Sequence, residues 1–598
     1  MRTINLIATL IVFFAPLSLS HVENTNAYSK VIKSVKNELT GLYDDWWQNA
    51  VLYQIYPRSF KDSDSDGSGD IQGIIQKLDH LSDMGVDGIW LSPIYKSPQI
   101  DNGYDISDYR DIDPLYGNLT DLKNLLDEAH KRDIKVILDY VPNHTSDQHI
   151  WFNNSVNSVE NYTDYYIWAN ATVVNGTRLP PNNWLSTFYG SAWEWNEKRQ
   201  QYYYHQFAIA QPDLNYRNPK VVEEMKNVLK YWLDFGIDGF RMDAISTLFE
   251  DEQLRDEPSS GADNLDPDDP SNLLHIYTSN LNETYDMVYQ WRELLDNFTL
   301  STNGSYTRIM MTEVYSDLDS TMPYYMDVNT GRQGAHFTFN FYTFIMDTPK
   351  SELTAQLLAQ HIWKWIDALP GDSIANWVLG NHDQARVATR LGVENVDALN
   401  VLSALLPGVK VTYQGEEIGQ ENGEVACNQG YDPQAIKNCT TFNETSRDFE
   451  RTPFQWDATE NAGFSTNKTT WLPVSNKYNE TNLAKQNVTD DPHTHYNIFK
   501  TIVGLKKELK NISFSTMDWG RVDNTLYLMR RTDNVSYFFV YNVDDVDNSP
   551  RVSFRGVVDA KAVLTVADGN YKLGDSYDSN AMLKPRESVV FNVTFDDS

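Results

Sequence analysis

A chain of 598 residues is too long for one ordinary core and divides into about two to four domains. Hydrophobic residues make up 41% and aromatic residues 13%, with 35 Tyr and 16 Trp, as in a well-packed globular protein with many rings of the kind that sugar-binding surfaces use. The formal charge of −34 excludes nucleic acid and anionic membrane as natural partners, since phosphates would be repelled, and suits a soluble luminal or extracellular protein.

Residues 1–20 read as an export signal: Arg2 gives the positive start, Leu6 to Leu17 the apolar stretch, and Ser18-Leu19-Ser20 a small-residue cleavage site. A membrane anchor is the alternative, but Pro16 interrupts the stretch, and no other run reaches the roughly 20 apolar residues that span a bilayer. The polar C-terminus carries no lipid-anchor tail. The expectation is a secreted protein without a membrane anchor, preceded in its mature form by an N-terminal extension, 21–45.

From Trp46 onward short apolar runs alternate with helical patterns. Strand candidates lie at 52–56, 88–91, 136–140, 239–242, 309–312, 337–341, 376–379 and 410–413. Helical stretches lie at 71–84, 119–132, 221–235, 281–295, 353–369, 384–406 and 496–509. Eight strands alternating with helices point to an α/β fold, a (β/α)8 TIM barrel, although a doubly wound sheet gives the same alternation. The gap after the third strand is far longer than a βα connection needs, and 146–213, rich in Asn, Tyr and Trp, reads as an inserted subdomain. The catalytic barrel then comprises 46–145 and 214–514, and short alternating strands at 526–529 and 536–541 mark 515–598 as a C-terminal antiparallel β-sandwich.

Glycosylation sequons are dense: Asn118, Asn153, Asn161, Asn170, Asn175, Asn282, Asn297, Asn303, Asn438, Asn443, Asn467, Asn479, Asn487, Asn511, Asn534 and Asn592. Asn143-His144-Thr145 also fits, but lies within a chemistry-bearing segment and is expected to stay unmodified. The only cysteines, Cys427 and Cys439, lie close together in an exported chain, which favours a local disulfide over a metal site.

The strand candidates end in polar residues, where ligands gather in a barrel. The ends read Asp139-Tyr-Val-Pro-Asn143-His144, Gly239-Phe-Arg241-Met-Asp243, Thr312-Glu313 and Asn381-His382-Asp383. Arg241 and Asp243 share one face of a strand, so the guanidinium should keep Asp243 ionised, whereas Glu313 follows an apolar Ile-Met-Met run that favours its acid form. A lone Arg–Asp pair could be structural. Three carboxylates delivered by separate strands are costly to pack together unless a ligand uses them.

These segments resemble, in order, the four diagnostic regions of the α-glucosidases of the α-amylase family, most closely the insect maltases. Gln211-Pro-Asp-Leu-Asn215 matches the signature of the oligo-glucosidase branch. The resemblance implies a nucleophile at Asp243, a general acid/base at Glu313 and a transition-state stabiliser at Asp383, with no catalytic cofactor. Arg241, His144 and His382 would contact the bound glucose. Asp101-Asn-Gly-Tyr104 resembles the segment closing the pocket's non-reducing end: Asp101 would bind the terminal hydroxyls, Tyr104 stack on the ring, and Arg451 assist. Phe188 and Phe207 match pocket-lining positions. Ala244, just after the nucleophile, suggests α-1,4-linked substrates of the maltose and sucrose type.

The acidic run Asp62-Ser-Asp64-Ser-Asp66-Gly-Ser-Gly-Asp70 looks like an EF-hand loop, but its twelfth position is Gly73 rather than a bidentate Glu. It is either a solvated acidic turn or a hard-cation site. The resemblance implies structural calcium held by Asp62, Asp64, Asp66, Asp70 and the backbone carbonyl of Ser68. The rival reading of the whole chain is a non-catalytic relative, such as a transporter heavy chain or receptor. Its usual marks, a membrane span and lost acids, are not found after residue 20.

Overall fold

Strands β1 (Val51–Ile55), β2 (Gly88–Leu91), β3 (Lys135–Tyr140), β4 (Gly239–Met242), β5 (Ile309–Thr312), β6 (Phe337–Thr338), β7 (Asn376–Val378) and β8 (Val409–Tyr413) form one parallel sheet in the order β6-β5-β4-β3-β2-β1-β8-β7. The computed structural model describes residues 30–32, 46–263, 265–302, 306–345, 353–435, 439–509, 515–532, 535–566 and 569–596. The export-signal segment and most of the N-terminal extension lie outside them.

The sheet is a (β/α)8 barrel with a seam between β6 and β7. Side chains bridge it: the Asn376 amide donates to the Thr338 carbonyl at 2.6 Å, and its oxygen accepts from the Asn340 N–H at 2.8 Å. The register sets Arg241 opposite both Asp139 and Met311, so Arg241 and Asp139 leave the sheet on the same side. Gly239 is needed for this pairing. A Cβ there would sit 2.6 Å from the Ile309 carbonyl oxygen on β5.

Several expected elements are broken by their own residues. The helix expected at 71–84 is two pieces, Ile71–Gln76 and Leu78–Met84, because Lys77 leaves the helical conformation. That expected at 384–406 begins only at Val387 and splits at Gly392, whose φ of +93° no helix accommodates. The strand expected to reach residue 341 stops at Thr338, since Asn340 caps a short helix, Phe341–Phe344.

Between β3 and β4 the chain forms a three-stranded antiparallel sheet from Trp168–Ala169, Trp193–Asn196 and Gln201–Tyr204, packed on Trp184, Trp193 and Tyr204. The C-terminal strands β9 (Ser515–Val522), β10 (Thr525–Thr532), β11 (Ser536–Asn542), β12 (Val557–Thr565) and β13 (Ser588–Phe595) make one antiparallel sheet, with Lys30–Ile32 added at the β9 edge. Among the described residues, irregular connections carrying Val552, Tyr571 and Leu583 take the place of the second layer expected of a sandwich. The other face meets the barrel, where Arg530 donates to the Leu405 carbonyl. No helix among the described residues is long and apolar enough to cross a membrane.

Candidate active site

Arg241 organises the floor. Its Nη1 donates to both Asp139 oxygens at 2.9 and 3.0 Å and to Asp243 Oδ1 at 2.6 Å, while Nη2 pairs with Glu313 Oε1. One buried cation thus faces three buried carboxyls from the ends of three adjacent strands. All three cannot ionise cheaply around a single positive charge. Burial is the main cause that raises Asp243 well above the carboxylate range, with Glu313, Asp139 and Asp383 adding to it and Arg241 opposing. Glu313 is raised as well, by burial and Asp383 against Arg241. Burial lifts Asp139 to about 6. The simple contrast expected from sequence, with Asp243 ionised by its arginine neighbour and Glu313 protonated by apolar surroundings, gives way to a coupled pair. Arg241 serves both acids.

Between them lies Ala244, a non-glycine residue in the left-handed region at φ +47° and ψ +32°. The bend turns its N–H toward Glu313 Oε2 at 3.2 Å. Backbone strain here is spent on aiming a donor at the candidate acid.

Asp383 follows β7 and is partly exposed. Burial would raise its pKa, but His382, Arg447, Arg451 and Arg241 together hold it below the usual carboxylate range. Arg451 Nη2 and Arg447 Nη1 reach Asp383 Oδ1 at 2.7 and 3.0 Å. Burial lowers the pKa of His382 and favours its neutral form; its Nδ1 lies 2.8 Å from the Gln54 amide nitrogen, and its other ring nitrogen is Nε2. That nitrogen lies 2.6 Å from the Tyr104 hydroxyl, which in turn donates to Asp139 at 3.1 Å. Tyr104 and His382 stack with centroids 5.4 Å apart and planes within 7°.

The end of the site is built around Asp101. Gln211 donates to its Oδ2 at 3.0 Å, and Arg447 Nη2 to its Oδ1 at 3.2 Å. Burial raises Asp101 to about 6, against the pull of Arg447 and Arg451. Gln211 also lies 3.1 Å from His144 Nε2, and the His144 ring packs on Phe207, which meets Phe188 edge-on at 5.7 Å. Arg447 sits 5.0 Å over the Phe188 ring. Arg451, expected to assist at the terminal glucose, donates to Asp383 and to the His382 carbonyl. The arginine bonded to Asp101 is Arg447, which the sequence reading missed. It lies four residues before Arg451 in the same segment, and that proximity was the available signal. Also missed is Tyr315, two residues after Glu313: exposed, stacked on Phe341 at 4.3 Å, its hydroxyl accepting from Asn381 at 2.8 Å.

Away from this site, Asp62, Asp64 and Asp70 bring oxygens within 4.8 Å of one another. Asp66 is outside that group, its carboxylate accepting from the N–H of Ser68 at 2.7 Å. Cys427 and Cys439 are disulfide-bonded. Asn118, Asn153, Asn161, Asn170, Asn175, Asn282, Asn297, Asn443, Asn479, Asn487 and Asn592 are exposed. Asn467 is half-buried with its amide donating to the Ser65 carbonyl, and Asn303, Asn438, Asn511 and Asn534 lie outside the described residues. Asn143 is buried and donates to Asp213 at 2.8 Å.

Residues 54–514 match the model of the α-amylase catalytic domain. The chain is 50% identical over 482 residues to Maltase 1 of Drosophila virilis, covering 80% of this chain and 75% of that one. It is 48% identical over 469 residues to a salivary α-glucosidase of Anopheles gambiae, covering 77% and 78% respectively. Among solved structures, an α-glucosyl transfer enzyme, XgtA, superposes with a TM-score of 0.80 at 32% identity, covering 92% of this chain and 99% of that one. With the barrel, the strand-end acids and these relatives in agreement, the chain belongs to the α-amylase family of glycoside hydrolases, alongside the insect maltases and α-glucosidases.

Proposed function

We propose that this protein is a secreted, retaining exo-α-glucosidase that removes single glucose units from the non-reducing end of maltose, short malto-oligosaccharides or sucrose. The observation that carries the reading is Arg241 bridging Asp243 and Glu313, which holds two carboxyls side by side on one guanidinium. Retention requires such proximity, about 5–5.5 Å between the carboxyl groups. It also requires one anionic nucleophile and one protonated acid, which is a single proton on two acids. A pair raised by burial and coupled through one arginine is suited to share that single proton.

In the first step an Asp243 oxygen bonds to the anomeric carbon as the glycosidic C–O bond breaks, and Glu313 gives its proton to the departing oxygen. In the second, Glu313 takes a proton from water, whose oxygen displaces Asp243 and regenerates the acid. Asp383, kept anionic by two arginines, suits a role on the sugar hydroxyls and the positive charge that develops on the ring. The Asp101–Arg447 pair closes one end, so the site accepts a chain terminus. Ala244 favours α-1,4 linkages, and a second sugar replacing water would give transglucosylation.

Secretion is supported by the sequence start and by the exposure of most sequons. Structural calcium is supported by three hard oxygen donors drawn together at Asp62, Asp64 and Asp70. The ion would tie the loop down and take no part in bond cleavage. The test is glucose release from maltose, sucrose and isomaltose, with Asp243→Asn in parallel. Release from the first two that the variant loses supports the reading. A folded protein cleaving none of the three leaves a binding role instead.

A further inference from the structure

Arg447 is too long and flexible to stay between Asp101 and Asp383 unaided, and the structure provides a third carboxylate that fixes it. Asp432, fully buried, accepts from Arg447 Nη2 at 2.7 Å, from its Nε at 3.1 and 3.2 Å, and from its backbone N–H at 2.7 Å. The clasp is reciprocal: Asp448 Oδ2 accepts from the N–H groups of Tyr431 and Asp432 at 2.7 and 3.1 Å. Gly430 lies so close to this segment that a Cβ there would meet Phe442 at 2.5 Å and Asp448 at 2.9 Å.

Asp432 lies inside the loop that the Cys427–Cys439 disulfide closes, whose two cysteines are 12 positions apart. From this loop, Cys427 and Ala435 pack into an apolar cluster with Tyr56, Tyr413, Phe442, Trp471 and Leu472. Tyr56 in turn packs against His382, with ring centroids 5.6 Å apart. A covalent closure, a buried carboxylate, an arginine and the two carboxylates assigned to the terminal glucose therefore form one continuous chain of contacts.

We infer that the disulfide-closed loop is a positioning element for the glucose-binding end of the site, with Asp432 as the positioning residue that holds Arg447 against Asp101 and Asp383. This deepens the function proposed above and rests on it. Asp432 touches no sugar. It acts by restricting Arg447 to one rotamer and by sharing its charge, so that the guanidinium neither collapses onto Asp383 nor swings out past Phe188. The disulfide matters because it limits how far the loop, and Asp432 with it, can move.

The experiment uses the full chain and glucose itself, titrated calorimetrically and as a competitive inhibitor of maltose hydrolysis. Asp432→Asn is expected to weaken glucose binding by about 10-fold or more and to raise KM more than it lowers kcat. Cys427→Ser combined with Cys439→Ser should weaken binding about 3-fold in the parent background and add nothing to Asp432→Asn, because both act through Arg447. A merely structural role would shift Tm and leave glucose affinity per folded molecule unchanged. Affinity within 2-fold of the parent in Asp432→Asn, or cystine removal multiplying its effect, would overturn the inference. Should Asp432→Asn fail to fold, unchanged affinity in the cysteine pair overturns it alone. A parent that neither binds glucose nor cleaves maltose defeats the functional proposal, and this inference with it.

Discussion

Asp243 and Glu313 sit on the same guanidinium, so Arg241 opposes the effect of burial on both. Lysine offers a point charge without the planar fork. Arg241→Lys should therefore lower kcat on maltose by about 100-fold or more while the chain still folds, and kcat with far-UV circular dichroism decides between this and unfolding. Glu313→Gln removes the proposed proton donor and should cost about 10²–10⁴-fold on maltose. The loss should shrink for an aryl glucoside whose leaving group departs without protonation. Equal losses on both substrates would remove Glu313 from the acid role. At Ala244 the left-handed backbone makes a β-branched side chain strained. Ala244→Val should destabilise the fold by about 1–3 kcal/mol, read from denaturant unfolding.

Among the elements, the helix Ile150–Val156 is capped by His149, whose Nδ1 accepts from the Trp151 N–H at 3.1 Å. Burial, with a smaller push from Arg110, lowers the His149 pKa to about 3. Its unfolded value is about 6.5. Between those limits the unfolded chain binds a proton that the folded chain refuses, so stability is full above pH 6.5 and falls as pH drops toward 3. The buried carboxyls Asp101 and Asp139, raised to about 6, act in the opposite sense, so the His149 contribution must be read as a difference. His149→Asn keeps a cap acceptor and removes the titration. Relative to the parent it should gain about 1.4 kcal/mol per pH unit between pH 5.5 and 4, measured by denaturant midpoints. A parallel pair of curves would contradict this. For the acidic loop at Asp62–Asp70, added calcium should raise Tm in a concentration-dependent way, chelation should reverse it, and Asp64→Asn should abolish it with kcat within about 2-fold of the parent.

Across the whole molecule, what was legible in sequence followed from local pattern. Most barrel strands are buried on both sides and read as apolar runs, and the acids at the strand ends stand out because they interrupt those runs. Glycine at 239 was visible, but its reason, the close approach of Ile309, belongs to the packed sheet. Helix breaks at Lys77 and Gly392 were hidden, because apolar periodicity continues on either side of them. Arg447 and Asp432 were hidden for a different reason. Arg447 meets Asp101 across more than 300 residues of chain with Asp432 behind it, and a surface arginine beside an acid looks the same in sequence as one that spans a site.

The central claim is double displacement at Asp243, and the anomer released reports on it directly. Proton NMR of an aryl α-glucoside, followed during the first turnovers and before mutarotation, shows which form of glucose leaves the enzyme. The account predicts α-glucose first, with β-glucose growing only by mutarotation. β-Glucose as the first product would mean that water attacks the sugar directly, and the assignment of Asp243 as nucleophile would be wrong.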